Sequence, residues 1–367
     1  MSRVKLREIG TFKNGLNFSA DRVSEGCKMI GIPDFGNRYF ADFSNLSEVD
    51  SGIVPDECTL KDGDILFVRS NGNKALVGRT MIISGISERI TFSGFCIRFR
   101  PNGEIAIPLY LLLLFKSPLF RKRFSNTQQT SINNINQEVL GEIEIELPSK
   151  DEQQKTIDCI YPIIRKIEIN NAVNDNLTEQ AKLIFDKMFP SICSGEKHIG
   201  DYVIPKRGTA LLSKDAIEGE VPVIAGGIKP STYNNQANTQ SPVITISASG
   251  ANAGFINLWS IPVWSSDSSF IYTSSTPYVY FWYEVLKRYQ QVIFSLQSGS
   301  AQPHIYPNHI ANLPMAEVDL SLVREYEMAV SPLFSMVGQL EKESIQLGRI
   351  RDCLLPILMN GQATISD

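Results

Sequence analysis

The chain has 367 residues, 43% of them hydrophobic, and a formal net charge of −4 at pH 7. This length predicts two or three domains with ordinary apolar cores. Acidic and basic residues are spread along the chain, and neither half has a strong basic excess. The balance therefore argues against a protein that holds nucleic acid through phosphate contacts alone.

Cysteine and histidine usage excludes several classes of site. The six cysteines form no C-x-x-C pair, and the three histidines have no zinc-protease spacing, so we expect neither disulfides nor a bound metal. The first ten residues lack the apolar core of a signal peptide, and the longest apolar run is broken by Pro108. We therefore expect a soluble, cytoplasmic protein with no membrane partner.

Residues 1–148 predict a first globular domain. A hydrophobic strand at 65–68 runs into a polar loop at 69–74, and a second strand resumes near Val77. A helix over 107–124 carries a basic cluster at its end, followed by a polar loop at 126–136 and a strand at 142–148. The basic cluster consists of Lys116, Arg121, Lys122 and Arg123, which fit either a solvated helix end or a DNA contact.

Residues 149–190 predict one long helix. Ser149 and Glu152 form a possible capping box at its start. Apolar residues then recur at alternating three- and four-residue steps, as in a coiled coil. The predicted pairing positions are Ile160, Ile163, Ile167, Leu177 and Ile184. Asn170 and Asn174 interrupt this seam, where they either fix the helix register or face solvent. We expect Pro162 to kink the helix or to restart it.

A shift of 170 residues maps this helix onto a second one at 319–361, and Pro162 onto Pro332. The same shift maps Phe124-Ser125 onto Phe294-Ser295 and Ile135 onto Ile305. Residues 196–316 repeat the element order of the first domain. We interpret this as an internal repeat of two α+β domains. The pairing positions of the second helix are Val330, Leu333, Val337, Leu340, Leu347 and Leu354.

Enzymatic motifs are missing from the sequence. Gly72 to Thr80 resembles a phosphate-binding loop, but it has one residue too many and an Arg where the Lys should be. No Asn/Asp-Pro-Pro-Tyr/Phe stretch is present for base methylation. We also find no spaced acidic cluster of a nuclease and no nucleophile–base pair. The sequence predicts a chain without catalytic residues or a cofactor of its own.

Three segments resemble the specificity subunits of type I restriction–modification systems. They are the stretch at 147–155 with Leu-Pro and Glu-Gln-Gln-Lys, the helix IEINNAVNDNLTEQAKLIFDKMF at 167–189, and the closing RIRDCLLPILMNGQ at 349–362. The resemblance covers nearly the whole chain. It implies two α/β target-recognition domains separated by two long antiparallel coiled-coil helices, with a pseudo-twofold internal repeat.

The resemblance also implies a function. Each recognition domain would read one half of a bipartite site in double-stranded DNA, and helix length would set the gap between the halves. The helices would dock modification (methyltransferase) subunits, which a restriction (motor–nuclease) subunit joins for cleavage in phage defence. S-adenosylmethionine, ATP and Mg²⁺ are then expected on those partner subunits.

Candidate DNA contacts are polar side chains on loops that both domains share, because base edges are read by hydrogen-bonding side chains. Each fits a solvated turn equally well. In the first domain they are Arg69, Asn71, Asn73 and Lys74 after the first strand, and Gln128, Gln129, Ser131, Asn133 and Asn134 in the later loop. In the second domain they are Gln297, Ser298, Gln302 and His304. Lys13, Lys206 and Arg207 lie beside the paired Gly15 and Gly208 and are candidate phosphate contacts.

Two competing functions stay open at the sequence level. The slightly acidic chain could be a non-catalytic scaffold, or an anti-restriction mimic that binds the modification subunit without reading DNA. A stand-alone methyltransferase or nuclease would need the motifs that the sequence lacks. The closing Leu354 to Leu358 stretch fits either core between the helices or a docking face.

Overall fold

The computed structural model describes residues 2–17, 26–36, 38–73, 76–125, 135–299 and 303–359, without the side chains of residues 123–125. The chain forms two compact units. The first combines the chain up to Lys166 with the segment from Gln346 onwards, and the second is Ile167–Ile345. Each of the two long helices contributes to both units. The predicted domain boundaries at residues 148, 190, 196, 316 and 319 follow the sequence pattern and stay predictions.

Among the described residues, nine strands and three short α-helices precede the first long helix. The strands are β1 (Ser2–Lys5), β2 (Gly10–Asn14), β3 (Cys27–Ile30), β4 (Ser47–Val49), β5 (Ile65–Val68), β6 (Thr80–Ile82), β7 (Ile90–Phe92), β8 (Cys96–Pro101) and β9 (Glu144–Leu147) among the described residues. The helices are α1 (Pro108–Lys116), α2 (Pro118–Ser125) and α3 (Gln137–Gly141), and the long helix is α4 (Lys150–Met188).

The first unit is built on three sheets with the orders β2-β8-β5-β6, β4-β3-β7 and β1-β9. Side chains on a strand alternate between its faces, so the four-stranded sheet has two apolar sides. Ile65, Phe67 and Phe99 pack on the side that carries α1, whereas Leu66 and Val68 pack on the opposite side. This sheet therefore separates the two main cores of the unit.

The second unit repeats this topology. Its strands are β10 (Lys197–His198), β11 (Lys206–Arg207), β12 (Val221–Ile224), β13 (Thr232–Asn234), β14 (Val243–Ser247), β15 (Ile256–Trp259), β16 (Trp264–Ser265), β17 (Ser268–Tyr272) and β18 (Pro314–Met315). Its helices are α5 (Val279–Arg288), α6 (Gln290–Ser295), α7 (Pro307–Ala311) and α8 (Leu320–Met359). The sheet orders are β11-β17-β14-β15, β13-β12-β16 and β10-β18, strand for strand those of the first unit.

Matching hydrogen bonds confirm the internal repeat residue by residue. Gly78 N donates to Val68 O at 2.9 Å, and Gly254 N donates to Ser247 O at 2.7 Å. Both glycines have a positive φ, of 72° and 87°. The predicted equivalence of Ile135 and Ile305 is also present, because their N–H groups donate to Arg69 O and Ala248 O at 2.8 and 2.9 Å.

The helix α4 begins as the sequence predicts. Ser149 N donates to a Glu152 carboxylate oxygen at 2.9 Å, and Glu152 N donates to Ser149 Oγ at 3.4 Å, so the capping box is confirmed. The helix runs without interruption through Pro162 and does not restart there. Among the described residues, none of the helices combines the length and apolarity needed to traverse a bilayer.

The two long helices pack with opposite ends together. In the first unit, Ile157, Ile160 and Ile164 near the start of α4 share a core with Leu355 and Met359 near the end of α8. In the second unit, the end of α4 packs with the start of α8, through Ala181 and Phe185 on one side and Val323, Tyr326 and Val330 on the other. The helices are therefore antiparallel, and each end completes the core of a globular part.

The structure places the predicted pairing positions along this seam. Ile160, Val330 and Val337 are buried. The others are half-buried: Ile163, Ile167, Leu177, Ile184, Leu333, Leu340, Leu347 and Leu354. The sequence pattern missed Ile164, Phe185, Phe334 and Leu355, which are buried although they lie outside the predicted seam. Near each globular part a helix has to face both its partner helix and the domain, so its buried face is wider than a coiled-coil seam.

A polar contact lies midway along the helix pair. Asn170 is only 1% exposed, and its Nδ2 donates to Glu343 at 2.8 Å and to Ser344 Oγ at 3.3 Å. Asn174 lies one turn further along, and its buried Oδ1 accepts no hydrogen bond from the residues that the structure describes. A buried amide that must be satisfied disfavours other registers, so Asn170 acts as a register residue for the pair.

Glu327 joins α8 to the globular part of the second unit. Its carboxylate accepts the N–H groups of Tyr280 at 3.1 Å and Phe281 at 2.9 Å, in the first turn of α5. Burial raises the pKa of Glu327 to about 7. The Glu327 carboxylate thus accepts hydrogen bonds from N–H groups that have no partner within their helix. Its burial disfavours the charged form of the carboxyl group.

The raised pKa of Glu327 predicts that the free energy of unfolding decreases as pH rises. The folded pKa exceeds the unfolded value, so the folded state binds more protons between about pH 4.5 and 7, and this contribution is lost as pH rises through 7. We expect Glu327→Gln to reduce the slope of unfolding free energy against pH in this range. The measurement is urea unfolding at several pH values, with the exposed Glu325→Gln as control. Equal slopes in all three proteins would contradict the prediction.

Candidate nucleic-acid interface

The first loop patch, defined as Arg69, Asn71, Asn73 and Phe95, follows the central strand β5. Arg69 N donates to Phe95 O at 2.8 Å, which attaches the loop to the turn before β8. Asn71 Oδ1 accepts Asn73 N at 2.8 Å and shapes the loop as an Asx turn. Phe95 is 59% exposed beside Asn71, at a shallow depression of about 340 Å³. An amide and an aromatic ring therefore lie side by side at the end of a rigid sheet.

Six candidates of the first unit lie outside the described residues. They are Lys74, Gln128, Gln129, Ser131, Asn133 and Asn134. Ile135, directly after that loop, donates its N–H to Arg69 O at 2.8 Å. Ile135 therefore contacts the first loop patch through its backbone.

The second loop patch, defined as Arg207, Ser249, Asp267, Ser298 and His304, occupies the equivalent place in the second unit. The Arg207 guanidinium donates to Asp267 at 2.6 Å, and the same carboxylate accepts the hydroxyl of Ser249. Ser249 pairs through its backbone with His304, which exchanges N–H···O bonds of 3.1 and 2.8 Å with Ser298. Three predicted residues, Arg207, Ser298 and His304, are thus brought together.

Two other predicted residues of the second unit lie near this patch. Gln297 Nε2 donates to Ala253 O at 2.8 Å and braces the loop after β14. Lys206 points to the opposite face of its strand, where its Nζ lies 5.3 Å from the centre of the Tyr272 ring. The structure does not bring Lys206 to the patch, and Gln302 lies outside the described residues.

Lys13 occupies the strand position that corresponds to Lys206. Its Nζ lies 2.6 Å from a Glu57 carboxylate oxygen. This hydrogen bond raises the pKa of Lys13 and lowers the pKa of Glu57. A phosphate contact by Lys13 would therefore have to replace an existing partner, which weakens its case as a DNA contact.

The sequence analysis missed Phe95, Ser249 and Asp267. Phe95 and Asp267 are equivalent, because their carbonyl groups accept the N–H groups of the equivalent Arg69 and Ala248 at 2.8 and 3.1 Å. An exposed aromatic ring in one unit thus replaces an ion-paired carboxylate in the other. The sequence signal was a pair of matching segments: Phe95 ends the segment SGF before β8, and Asp267 ends the segment SSD before β17.

Paired glycines hold the turn against the edge strand. A Cβ on Gly15 would lie 2.2 Å from Ser93 O, and one on Gly208 would lie 2.4 Å from Ser265 O. Both glycines therefore permit a backbone approach that any side chain would prevent. No group of three or more His, Cys, Asp or Glu side chains within the described part of the chain is arranged to hold a metal ion.

Comparison with known proteins shows a similarity to one family. Residues 1–179, just under half of the chain, match the family model described as type I restriction modification DNA specificity domain. Over these residues the chain is similar to type I specificity subunits. A crystal structure of a type I restriction–modification system S subunit from M. genitalium aligns with 97% of this chain and 95% of its own, at a TM-score of 0.61 and 17% identity. At that identity the alignment supports the shared fold.

Two family members with curated names match over parts of their length. The type I restriction enzyme HindI specificity subunit of Haemophilus influenzae is 27% identical over 134 residues, which are 35% of this chain and 28% of that protein. The type I specificity subunit S.MgeORF438P of Mycoplasma genitalium is 27% identical over 248 residues, 62% of this chain and 64% of its own length. The matches therefore span less than two thirds of either relative.

The glycine contacts give a test of the turn geometry. We expect Gly15→Ala to destabilise the chain by at least roughly 2 kcal/mol, because the added carbon meets backbone atoms that cannot rotate away. The matched control is Gly72→Ala in the same unit, where a Cβ meets nothing within 4 Å. Denaturant unfolding measures both, and equal free energies of unfolding would contradict the close approach.

Proposed function

We propose that the chain is the DNA-binding specificity subunit of a type I restriction–modification complex, in which each unit reads one half of a bipartite site. The observation that carries this proposal is the repeat itself. Two sheets of identical strand order present polar loops at equivalent positions, the first and second loop patches. Two readers on one chain suit a target composed of two half-sites.

The chemistry of the loop patches suits base reading. Asn71, Ser298 and His304 offer hydrogen-bonding groups of the kind that contact base edges, and Arg69 and Arg207 suit guanine or phosphate. Arg69 and Asn71 follow the strand β5, and backbone hydrogen bonds hold Ser298 to His304, which keeps these side chains in place better than free loops do. Because Phe95 in one patch corresponds to Asp267 in the other, we propose that the two half-sites differ in sequence. An exposed ring suits a thymine methyl group, whereas the Asp267 carboxylate, paired with Arg207, offers no such apolar contact.

The helices supply the spacing. The 39 residues of α4 correspond to about 58 Å of helix at 1.5 Å per residue. One turn of DNA is roughly 34 Å, so helices of this length suit two readers on separate turns. The gap between the half-sites would follow from the length and register of the pair, which Asn170 specifies. The outer faces of α4 and α8 would dock the modification subunits.

The chain itself would be non-catalytic. We propose that modification subunits supply the S-adenosylmethionine site, and that the restriction subunit uses ATP and Mg²⁺ for translocation and cleavage. The sequence has no motif for these reactions. The neutral-to-acidic balance of the chain also suits a reader that borrows phosphate contacts from its partners.

Methylation mapping tests the function directly. In cells that carry this chain and its modification subunit, we expect methylation at two short blocks of sequence separated by a fixed gap. Exchange of residues 196–316 for another recognition domain should change one block and leave the other and the gap unchanged. Modified bases are located by single-molecule sequencing, with a strain lacking this chain as control.

The alternative is a scaffold or anti-restriction mimic that binds the modification subunit without reading DNA. The acidic balance of the chain favours it. Co-purification of the two subunits without any bipartite methylation would support this alternative and exclude the specificity role. An activity of the chain on DNA without partners would exclude both.

The Arg207–Asp267 pair gives a second test. We expect Asp267→Asn to strengthen DNA binding by the assembled complex and to increase the slope of log K against log salt by about 1, because Arg207 becomes available for a phosphate. Glu218→Gln, at an exposed position of the same unit outside the patch, changes the charge equally and should leave the slope unchanged. Fluorescence anisotropy at several salt concentrations provides the measurement, and matching slopes in the two variants would exclude a phosphate role for Arg207.

A further inference from the structure

Exposed aromatic rings are few among the described side chains, and two of them lie at the loop patches. The exposed rings are Phe95 in the first unit and Tyr233 and Tyr306 in the second. Phe95 is part of the first loop patch. Tyr306 is 49% exposed and follows the second loop patch directly, two residues after His304. Each unit therefore presents an exposed ring at its candidate interface.

The ring of Tyr306 is held in place by its neighbours. It stacks on the ring of His304, with centres 6.0 Å apart and planes inclined by 19°, and the ring of His309 packs edge-on at 5.5 Å. Aromatic pairs of these geometries are favourable. The adjacent backbone is also anchored, because Ile305 N donates to Ala248 O at 2.9 Å. The exposed part of the Tyr306 ring is therefore presented by a fixed support.

The exposed rings of the two loop patches come from different positions of the repeat. Phe95 corresponds to Asp267, because their carbonyl groups accept equivalent hydrogen bonds. Tyr306 corresponds to Asn136 through the 170-residue shift that relates the two units. The second unit thus has a carboxylate where the first has a ring, and a ring where the first has an amide.

The amide of the first unit caps a helix. Asn136 Oδ1 accepts Val139 N at 2.7 Å at the start of α3. Tyr306 precedes α7 with nearly the same backbone angles, φ −110° and ψ 156° against −117° and 168° for Asn136, but its side chain makes no cap hydrogen bond. An N-cap side chain stabilises a helix by accepting a free N–H group. The second unit therefore has an exposed ring in place of a stabilising contact, and helix stability does not account for Tyr306.

We propose that Tyr306 is a specificity-determining residue of the second unit, and that its exposed ring contacts the methyl group of a thymine in the second half-site. The contact presupposes the bipartite reading of DNA proposed above. Apolar groups distinguish thymine by packing on its methyl group, which lies in the major groove. Phe95 offers the same chemistry in the first unit, from the other position of the repeat. The contacted thymine therefore has a different place in each half-site, relative to the polar residues of the loop patch.

The test uses the full chain in complex with its modification subunit, and a DNA duplex that carries the mapped bipartite motif. Each thymine of the second half-site is replaced in turn by uracil, which lacks the methyl group and keeps the base pairing. We expect uracil at one position to weaken binding about fivefold or more, as for the loss of one base contact. Tyr306→Asn should bind the thymine and uracil duplexes equally, because it has no ring to lose contact. Fluorescence anisotropy at constant salt measures both affinities.

Two further variants serve as controls. Tyr306→Phe keeps the ring and removes the hydroxyl, so it should bind DNA like the unchanged chain and retain the uracil effect. Tyr233→Asn removes a ring of similar exposure, 52%, from the strand β13 in the three-stranded sheet. This variant should change neither the affinity nor the uracil effect.

Tyr306→Asn also separates recognition from folding. The new residue has the type and the backbone conformation of Asn136, so it is able to cap α7, and the thermal midpoint of unfolding should not fall. A lower midpoint together with unchanged DNA binding would mean that the Tyr306 ring supports the fold, and would overturn the proposal.

The outcomes distinguish this contact from the function as a whole. If a bipartite motif is mapped but Tyr306→Asn binds it as tightly as the unchanged chain, Tyr306 makes no contact with DNA and the specificity role of the chain stands. If Tyr306→Asn weakens binding but no uracil does, the ring lies against the sugar–phosphate backbone, and a role in specificity is excluded. If no bipartite motif is found, the proposed function and this contact fail together.

Discussion

Neither globular part of this chain completes its apolar core without the long helices. In the second unit Phe185 of α4 and Tyr326 of α8 are fully buried against Phe281 of α5, with ring centres 5.2 and 5.5 Å from Phe185. In the first unit, Ile160 and Leu355 contribute to the core in the same way. Burial of large apolar side chains is the dominant favourable term in folding. The helix pair is therefore part of each domain as well as a connection.

This dependence explains which parts of the fold the sequence could predict. The repeat was visible because Pro162 and Pro332, and Ile135 and Ile305, keep one offset, and the sheets confirm it. Gly15 and Gly208 were paired by position, and their contacts with Ser93 and Ser265 explain the pairing. The residues of the helix seam were less predictable. The spacing of apolar residues alone cannot show that Phe185 and Phe334 contact both the partner helix and the globular part.

The candidate surface was harder to predict than the fold. Polar loop residues were chosen by type, and the structure gathers Arg207, Ser298 and His304 but leaves Lys206 on the other face of its strand. Side-chain direction on a two-residue strand depends on its register, which the sequence does not reveal. Asp267 and Phe95 were missed because their equivalence depends on backbone hydrogen bonds between segments far apart in the chain.

The first strand of each unit pairs with its last. Ser2–Lys5 lies antiparallel to Glu144–Leu147, and Lys197–His198 lies antiparallel to Pro314–Met315. The chain thus enters and leaves each globular part at neighbouring points, and a long helix begins shortly after each exit. Insertions and deletions between those points need not displace the helix that follows. Evolution can therefore change the sequence and the length of each globular part between its paired first and last strands, while the long helices keep their dimensions.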